Sequence, residues 1–573
     1  MRPLALTLAA AALFQAQALP YRTHTDRFAP PAAATREAWA ARARYVREHV
    51  LASAGLLPMP ARTPLNPVVF DEVRHADYTV AKVYFESLPG FFVTGNLYRP
   101  AGTGPFPAVL SPHGHWTNGR LEHGAVTSGP GRAIGLARQG FVVFAHDMIG
   151  YNDSRQLTHA FGGRLESLWG LSLGGLQLWN SIRALDFLET LPDVRRGGVG
   201  VTGESGGGTQ TFLLGAVDDR VAVAAPVNMI SLHMQGGCIC ENLPGLRLDL
   251  TNVEIAAAIA PRPLLMISAT GDWTNETLEV EYPATRRIYG LLDAEDRVRA
   301  VRITAEHNYN KDSREAMYAW MARWLQQAPD AASRPEKDFT PDKVTDLLVF
   351  YGRALPRTAV TADVLTERWN AAAKAQLATA DRADVEAALR HALGYGDAPP
   401  VSAAPAPPRR PSVLLATPRE DLEPALRRAG IDVTRIAFTP FDEAAAAKVR
   451  HFDTYNRTAA SQRVADIVEA VRRSPASVVV ADGDAALAAL LAGAVVPIRR
   501  AILDAGGFDG SDAAFADRLY IPGLRRAGDF QTAVRAAKGE VILHGGTAAP
   551  GISGPRVEPR QLTPAEIAAL ARK

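Results

Sequence analysis

The chain has 573 residues, and its 62 Lys and Arg against 60 Asp and Glu give a net charge of +2, which excludes a polybasic nucleic-acid binder and an acidic tail protein. Hydrophobic residues make up 47% and charged residues 21%, globular proportions that exclude disorder as the main state and allow more than one core. The two cysteines, Cys238 and Cys240, are too few for a disulfide framework or a four-cysteine zinc site.

Met1-Arg2, the apolar run Leu4 to Phe14 and Ala16-Gln17-Ala18 have the pattern of a secretory signal over 1–18. The run is too short to cross a bilayer, so a soluble, secreted or periplasmic protein without a membrane partner is expected. An N-terminal extension over 19–67 follows, in which the spacing of Trp39, Ala43, Val46 and Val50 predicts a helix over 36–57, stopped by Pro58 and Pro60. From Val68 the pattern turns to strands, at 78–80 and 91–93, then at 108–110, 141–144, 199–201, 221–223 and 264–267. Helical patterns such as 176–191 lie between the later ones. This alternation predicts an α/β fold over 68–330, a mostly parallel sheet with helices on both faces. A helical connector is expected over 331–396 and a Pro/Ala-rich linker over 397–411. A second, smaller α/β domain is expected over 412–573.

The two α/β segments look related. Pro244-Gly245-Leu246-Arg247 and Pro522-Gly523-Leu524-Arg525 stand at matching distances before strands, and Tyr151-Asn152 matches Tyr455-Asn456. In that alignment Gly203-Glu204-Ser205 falls on Gly483-Asp484-Ala485, so the second copy lacks the hydroxyl.

Gly203-Glu204-Ser205-Gly206-Gly207 follows an apolar strand and precedes a helical pattern over 209–217, the setting of a nucleophile elbow. Residues two before and two after the serine must be small on so sharp a turn, as Gly203 and Gly207 are. Serine needs a base and an orienting acid, in the chain order Ser, Asp, His. Asp272 follows the strand ending at Ser268, and His307 follows the run Val298 to Ile303. These three are the candidate catalytic residues. Oxyanion donors are expected from the backbone N–H groups of Gly206 and of His115, which lies in the loop Ser111 to Trp116. His113, Trp116 and Glu204 are expected to line the substrate pocket; Glu204 either touches substrate or orients the elbow, with a buried structural hydrogen bond as the equal alternative.

These segments resemble the α/β-hydrolase superfamily over roughly Val68 to Pro329, and within it the acetyl xylan esterase and dienelactone-hydrolase-like group. The likeness rests on PHGHW at 112–116, DMIGYNDS at 147–154, GESGGGTQT at 203–211 and GD at 271–272. It departs at His115 and Gly206, where those esterases often carry Tyr and Gln. The resemblance implies a serine esterase without metal or organic cofactor, acting on a small-molecule or polysaccharide ester. A peptidase of the same fold is disfavoured, because the 50 or so residues between Leu19 and Val68 cannot hold even two propeller blades of about 40 residues. A non-catalytic binding module would require the first copy to have lost its triad. Cys238-Ile239-Cys240 has no expected chemistry: a Cys-x-Cys disulfide would be strained, and a metal shell completed by His233 would be short of ligands.

Overall fold

The computed structural model describes residues 20–401, 410–474, 476–545 and 554–572. The expected leader at 1–18 and the middle of the expected linker lie outside the described residues. Thr35 caps the helix Arg36–Ser53 by accepting a hydrogen bond from the Ala38 N–H. The first sheet has nine strands: β1 Val68–Arg74, β2 Tyr78–Leu88, β3 Phe91–Pro100, β4 Phe106–Leu110, β5 Val142–His146, β6 Val194–Glu204, β7 Val221–Val227, β8 Leu264–Ala269 and β9 Val298–Ile303. Their order is β1-β2-β3-β5-β4-β6-β7-β8-β9. The β1–β2, β2–β3 and β3–β5 pairs are antiparallel and every later pair is parallel.

The period-two geometry of a strand explains why the inner parallel strands β4, β5, β7 and β8 read as apolar runs: both faces are covered. Ala108 and Leu110 of β4 face one apolar layer with the helices Leu173–Thr190 and Gly206–Val217. Val109 faces the other, with the helices Gly129–Arg138 and Lys311–Leu325. Because β4 to β9 run parallel, the loops leaving their C-terminal ends gather along one rim, where ligands bind in such sheets.

The second sheet contains β10 Ser412–Ala416, β11 Asp432–Arg435, β12 Val478–Asp482, β13 Arg500–Asp504, β14 Glu540–His544 and β15 Arg556–Glu558. It is wholly parallel, in the order β11-β10-β12-β13-β14-β15. The two units meet in reciprocal fashion. Gly245 and Arg247 N–H groups donate to the carbonyls of Asp453 and Thr454, at 2.8 and 2.9 Å; Gly523 and Arg525 N–H groups donate to those of Ser167 and Leu168, at 2.8 and 3.0 Å. The two Pro-Gly-Leu-Arg segments therefore play the same part from opposite sides, an approximate two-fold arrangement inside one chain. Asp453 and Thr454 accept from the first Pro-Gly-Leu-Arg segment as Ser167 and Leu168 accept from the second, so the counterpart of the helix Phe452–Tyr455 is Arg164–Leu168, whereas the sequence alignment sets Tyr455-Asn456 against Tyr151-Asn152.

One apolar core runs through both units, from Tyr45 and Trp179 to Leu487 and Phe530. A chain ended after Asp330 would expose that surface and leave Asn242, which receives hydrogen bonds from Thr454 and Tyr455, without either donor. It should bind a hydrophobic dye and self-associate on a sizing column. A monomeric, dye-negative truncated chain would show that the second unit is dispensable for folding.

Candidate active site

Strand β6 ends at Glu204, and the helix Gly206–Val217 begins two residues later, with Ser205 between them at φ 56°, ψ −122°. A non-glycine residue held there is strained, and the surrounding packing maintains it. The flanking glycines are required by close backbone: a Cβ on Gly203 or Gly207 would come within 2.4 or 2.7 Å of the Pro112 carbonyl oxygen, its nearest neighbour in both cases. The loop after β4 is thereby pressed onto the elbow. Ser205 N–H donates to the Val227 carbonyl at 3.1 Å. Its hydroxyl has no hydrogen-bond partner among the described residues.

Asp272 sits in the loop after β8. Its Oδ1 accepts from the Thr274 N–H at 2.7 Å and from the Thr274 hydroxyl, while Oδ2 faces His307 Nδ1 at 2.9 Å. The carboxylate side chain is 2% exposed and the imidazole 25%. With Nδ1–H donating to the acid, Nε2 is left as an acceptor. The loop after β9 is held on both sides of the histidine: Asn228 Nδ2 donates to the Asn308 carbonyl at 2.9 Å, and the Tyr309 and Thr202 hydroxyls meet at 2.6 Å. Trp116 links this loop to the elbow. Its indole N–H donates to Glu204 Oε1 at 2.7 Å while its ring lies 6.1 Å, centroid to centroid, from that of His307; Trp273 covers the imidazole at 4.6 Å.

The pocket expectation needs correction for two residues. Glu204 is 1% exposed and faces inward: Arg132 Nη1 donates to Oε2 at 2.6 Å, and Thr127 joins Trp116 at Oε1. Its orienting role is the one the geometry supports. His113 is equally buried. Its Nδ1–H donates to the Gly114 carbonyl at 2.7 Å and its Nε2 accepts from the Met148 N–H at 3.0 Å. Burial holds His113 well below the usual imidazole range, and it stays neutral. Trp116 is half-buried on the rim. The His115 backbone N–H has no acceptor among the described residues, and the Gly206 N–H, at the first helical position, has none within its helix.

Sequence reasoning missed what the His115 side chain does. Its Nε2 lies 3.1 Å from Cys240 Sγ, and His159 Nε2 lies 3.3 Å from Cys238 Sγ. Hydrogen bonds from Cys240, His115 and His159 pull the Cys238 thiol far below its usual range, while burial raises Cys240. His233, the histidine weighed as a companion to the cysteines, instead faces Glu276 at 3.9 Å. No local spacing could have signalled His159, 79 positions from Cys238.

The second unit repeats the elbow's backbone without its chemistry. Gly483 stands between β12 and the helix Asp484–Ala492 at φ 60°, ψ −135°. It, rather than Ala485, occupies the position of Ser205. The sequence alignment was displaced by two residues, and the nucleophile position is a glycine.

No family model matches the chain. YtaP of Bacillus subtilis (strain 168), named as a candidate hydrolase, is 27% identical over 262 residues, covering 42% of this chain and 84% of its own. The structure of methylesterase BT1017 is 29% identical, with a TM-score of 0.50, covering 61% of this chain and 78% of that one. The chain is an α/β-hydrolase of the serine-esterase type. In this α/β-hydrolase the rim loops are braced by buried charge, and the brace is open to measurement. Arg132→Met should destabilise the fold by about 3–5 kcal/mol by leaving the Glu204 carboxylate buried and unpaired, with Arg132→Met/Glu204→Leu recovering much of the loss. Urea unfolding of the three proteins checks this, and equal midpoints for the single and double variants would contradict it.

Proposed function

We propose that this esterase is exported and deacylates a carbohydrate through an acyl-enzyme on Ser205. The observation that carries the reading is the buried Asp272 carboxylate bonded to His307 Nδ1, with Nε2 free on the rim that also carries the strained Ser205. Ser205 Oγ attacks the ester carbonyl as His307 Nε2 takes its proton, and the imidazolium then returns that proton to the departing alcohol. Asp272 does not move the proton. It fixes the tautomer and stabilises the imidazolium, its second oxygen being occupied by Thr274. The Gly206 and His115 N–H groups are the donors for the oxyanion, and water repeats the cycle on the acyl-enzyme. The half-exposed Trp116 and Trp273 offer flat apolar faces of the kind that suit a sugar ring. The leader-like segment at 1–18 supports export, and among the described residues no helix is long and apolar enough to cross a membrane.

The likeness to methylesterase BT1017 favours a second reading, in which the leaving alcohol is methanol and the sugar supplies the acyl group. Both readings use the same residues and differ in product. Incubation with acetylated xylan and with methyl-esterified polyuronate, followed by acetate and methanol assays, separates them: acetate supports deacylation, methanol the alternative, and neither would remove carbohydrate as the substrate class.

Ser205→Ala and His307→Ala should each lower turnover of an aryl ester by about 10³- to 10⁶-fold, because triad members act as a unit. A fluorophosphonate should label Ser205 alone in the native protein. Labelling elsewhere, or a mere tenfold loss in either variant, would reject the assigned roles.

A further inference from the structure

Beside the elbow, loops after three different strands bring two cysteines and two histidines together. His115 follows β4, His159 follows β5, and Cys238 and Cys240 follow β7. Their ligand atoms all lie within 4.8 Å of one another, and both cysteines are free thiols. Zinc–sulfur and zinc–nitrogen bonds of about 2.3 and 2.0–2.1 Å in a tetrahedron space the donors about 3.3–3.8 Å apart. The two N···S separations of 3.1 and 3.3 Å are within a few tenths of an ångström of that.

We propose that His115 Nε2, His159 Nε2, Cys238 Sγ and Cys240 Sγ bind one zinc-class transition-metal ion. The far side of each imidazole is arranged accordingly. His159 Nδ1–H donates to the Ile149 carbonyl at 2.6 Å, which leaves the Nε2 lone pair turned toward Cys238. His115 Nδ1 stands 3.8 Å from Glu241 Oε1, and Glu241 Oε2 accepts the Gly237 and Cys238 N–H groups at 2.8 and 2.9 Å. Metal-bound histidines carry a hydrogen-bond partner on their second nitrogen, which fixes the tautomer and the ring; His159 has that bond, and His115 has an acidic neighbour beyond hydrogen-bond distance. Two thiolates and two neutral imidazoles balance a divalent charge, and soft sulfur donors select zinc over magnesium or calcium. On binding, each thiol that is still protonated gives its proton to solvent.

Four protein donors close the shell, so the ion is a clamp rather than a Lewis acid for the ester. What it clamps is specific. A Cβ on Gly206 would lie 2.6 Å from His115 Cε1, so the imidazole rests on the residue after the nucleophile. Fixing that ring fixes the His115 backbone, a consequence for the oxyanion that rests on the proposed function; metal binding itself does not.

Full-length protein purified with a thiol reductant and without added chelator should carry about one zinc per chain by mass spectrometry of its metals. Replacement by Co²⁺ should give thiolate-to-cobalt charge-transfer absorption and the strong visible bands of a tetrahedral centre. Cys240→Ser and His159→Ala should each lose most of the retained metal. A wild-type chain that is folded and has two titratable thiols, yet holds no stoichiometric metal and gives no cobalt–thiolate band, would overturn the site even if the variants fail to fold. Bound metal without ester hydrolysis would count against the proposed function alone, and hydrolysis without metal against the clamp alone.

Discussion

A carboxylate and a guanidinium taken out of water together are tolerable only if each satisfies the other and the remaining hydrogen-bonding positions are filled. Arg132 and Glu204 do this at the point where three pieces of chain meet. Arg132 projects from the helix after the β4 loop and also donates to Ser111 Oγ, while Glu204 ends β6 and receives the Trp116 indole. The pair thus fixes the β4 loop against the elbow, and the same loop supplies the carbonyl that Gly203 and Gly207 must leave room for. Trp116, held by Glu204, lies alongside His307. The buried charge pair thus reinforces the direct packing of the β4 loop on the elbow and, through Trp116, extends it to His307.

The second unit bears on the same rim from outside. Its segment Asp453–Tyr455 is bonded to Asn242, Gly245 and Arg247, a few residues beyond Cys240. Asn242 in turn donates to the Gly236 and Cys238 carbonyls at 3.0 and 2.7 Å. A glycine at the elbow position removes the nucleophile there but preserves the backbone shape, because glycine reaches φ 60° without strain. What the second unit retains is the surface that completes the loop after β7. In two-fold homodimers a partner subunit supplies such a surface; here the same chain does so.

How much could be read from the sequence follows the range of each interaction. The inner strands β4, β5, β7 and β8 were legible because strands buried on both faces are apolar, and the positions of Ser205, Asp272 and His307 after β6, β8 and β9 could be read from the strand-like runs before them. The extent of the helix at 36–53 was overrun to Leu57 because Ala54 and Leu56 are apolar and buried although they lie beyond the last helical turn. The inward turn of Glu204 was not legible, since its partners Arg132 and Thr127 lie more than 70 positions away. The cysteine–histidine cluster was illegible for the same reason: its donors are separated by entire strand–helix units and meet only when the sheet is assembled.

Three of the carboxylates buried along this rim, Glu204, Asp147 and Asp272, differ in their second partners, and those partners decide what each can do. Glu204 has a guanidinium on one oxygen and an indole on the other, so it cannot turn to a substrate. Asp147 has Arg120 and Asn152 on one oxygen and Thr94 on the other, and burial still pushes its carboxyl up to about 6. Of the three, Asp272 has no full positive charge beside it among the described residues. One oxygen is filled by neutral Thr274 donors, and the other meets an imidazole that is itself partly in water. An arginine in that place would have neutralised the acid permanently. In the proposed mechanism, an imidazole that takes up the serine proton makes the attraction largest while it holds that proton, which is when acyl transfer needs it.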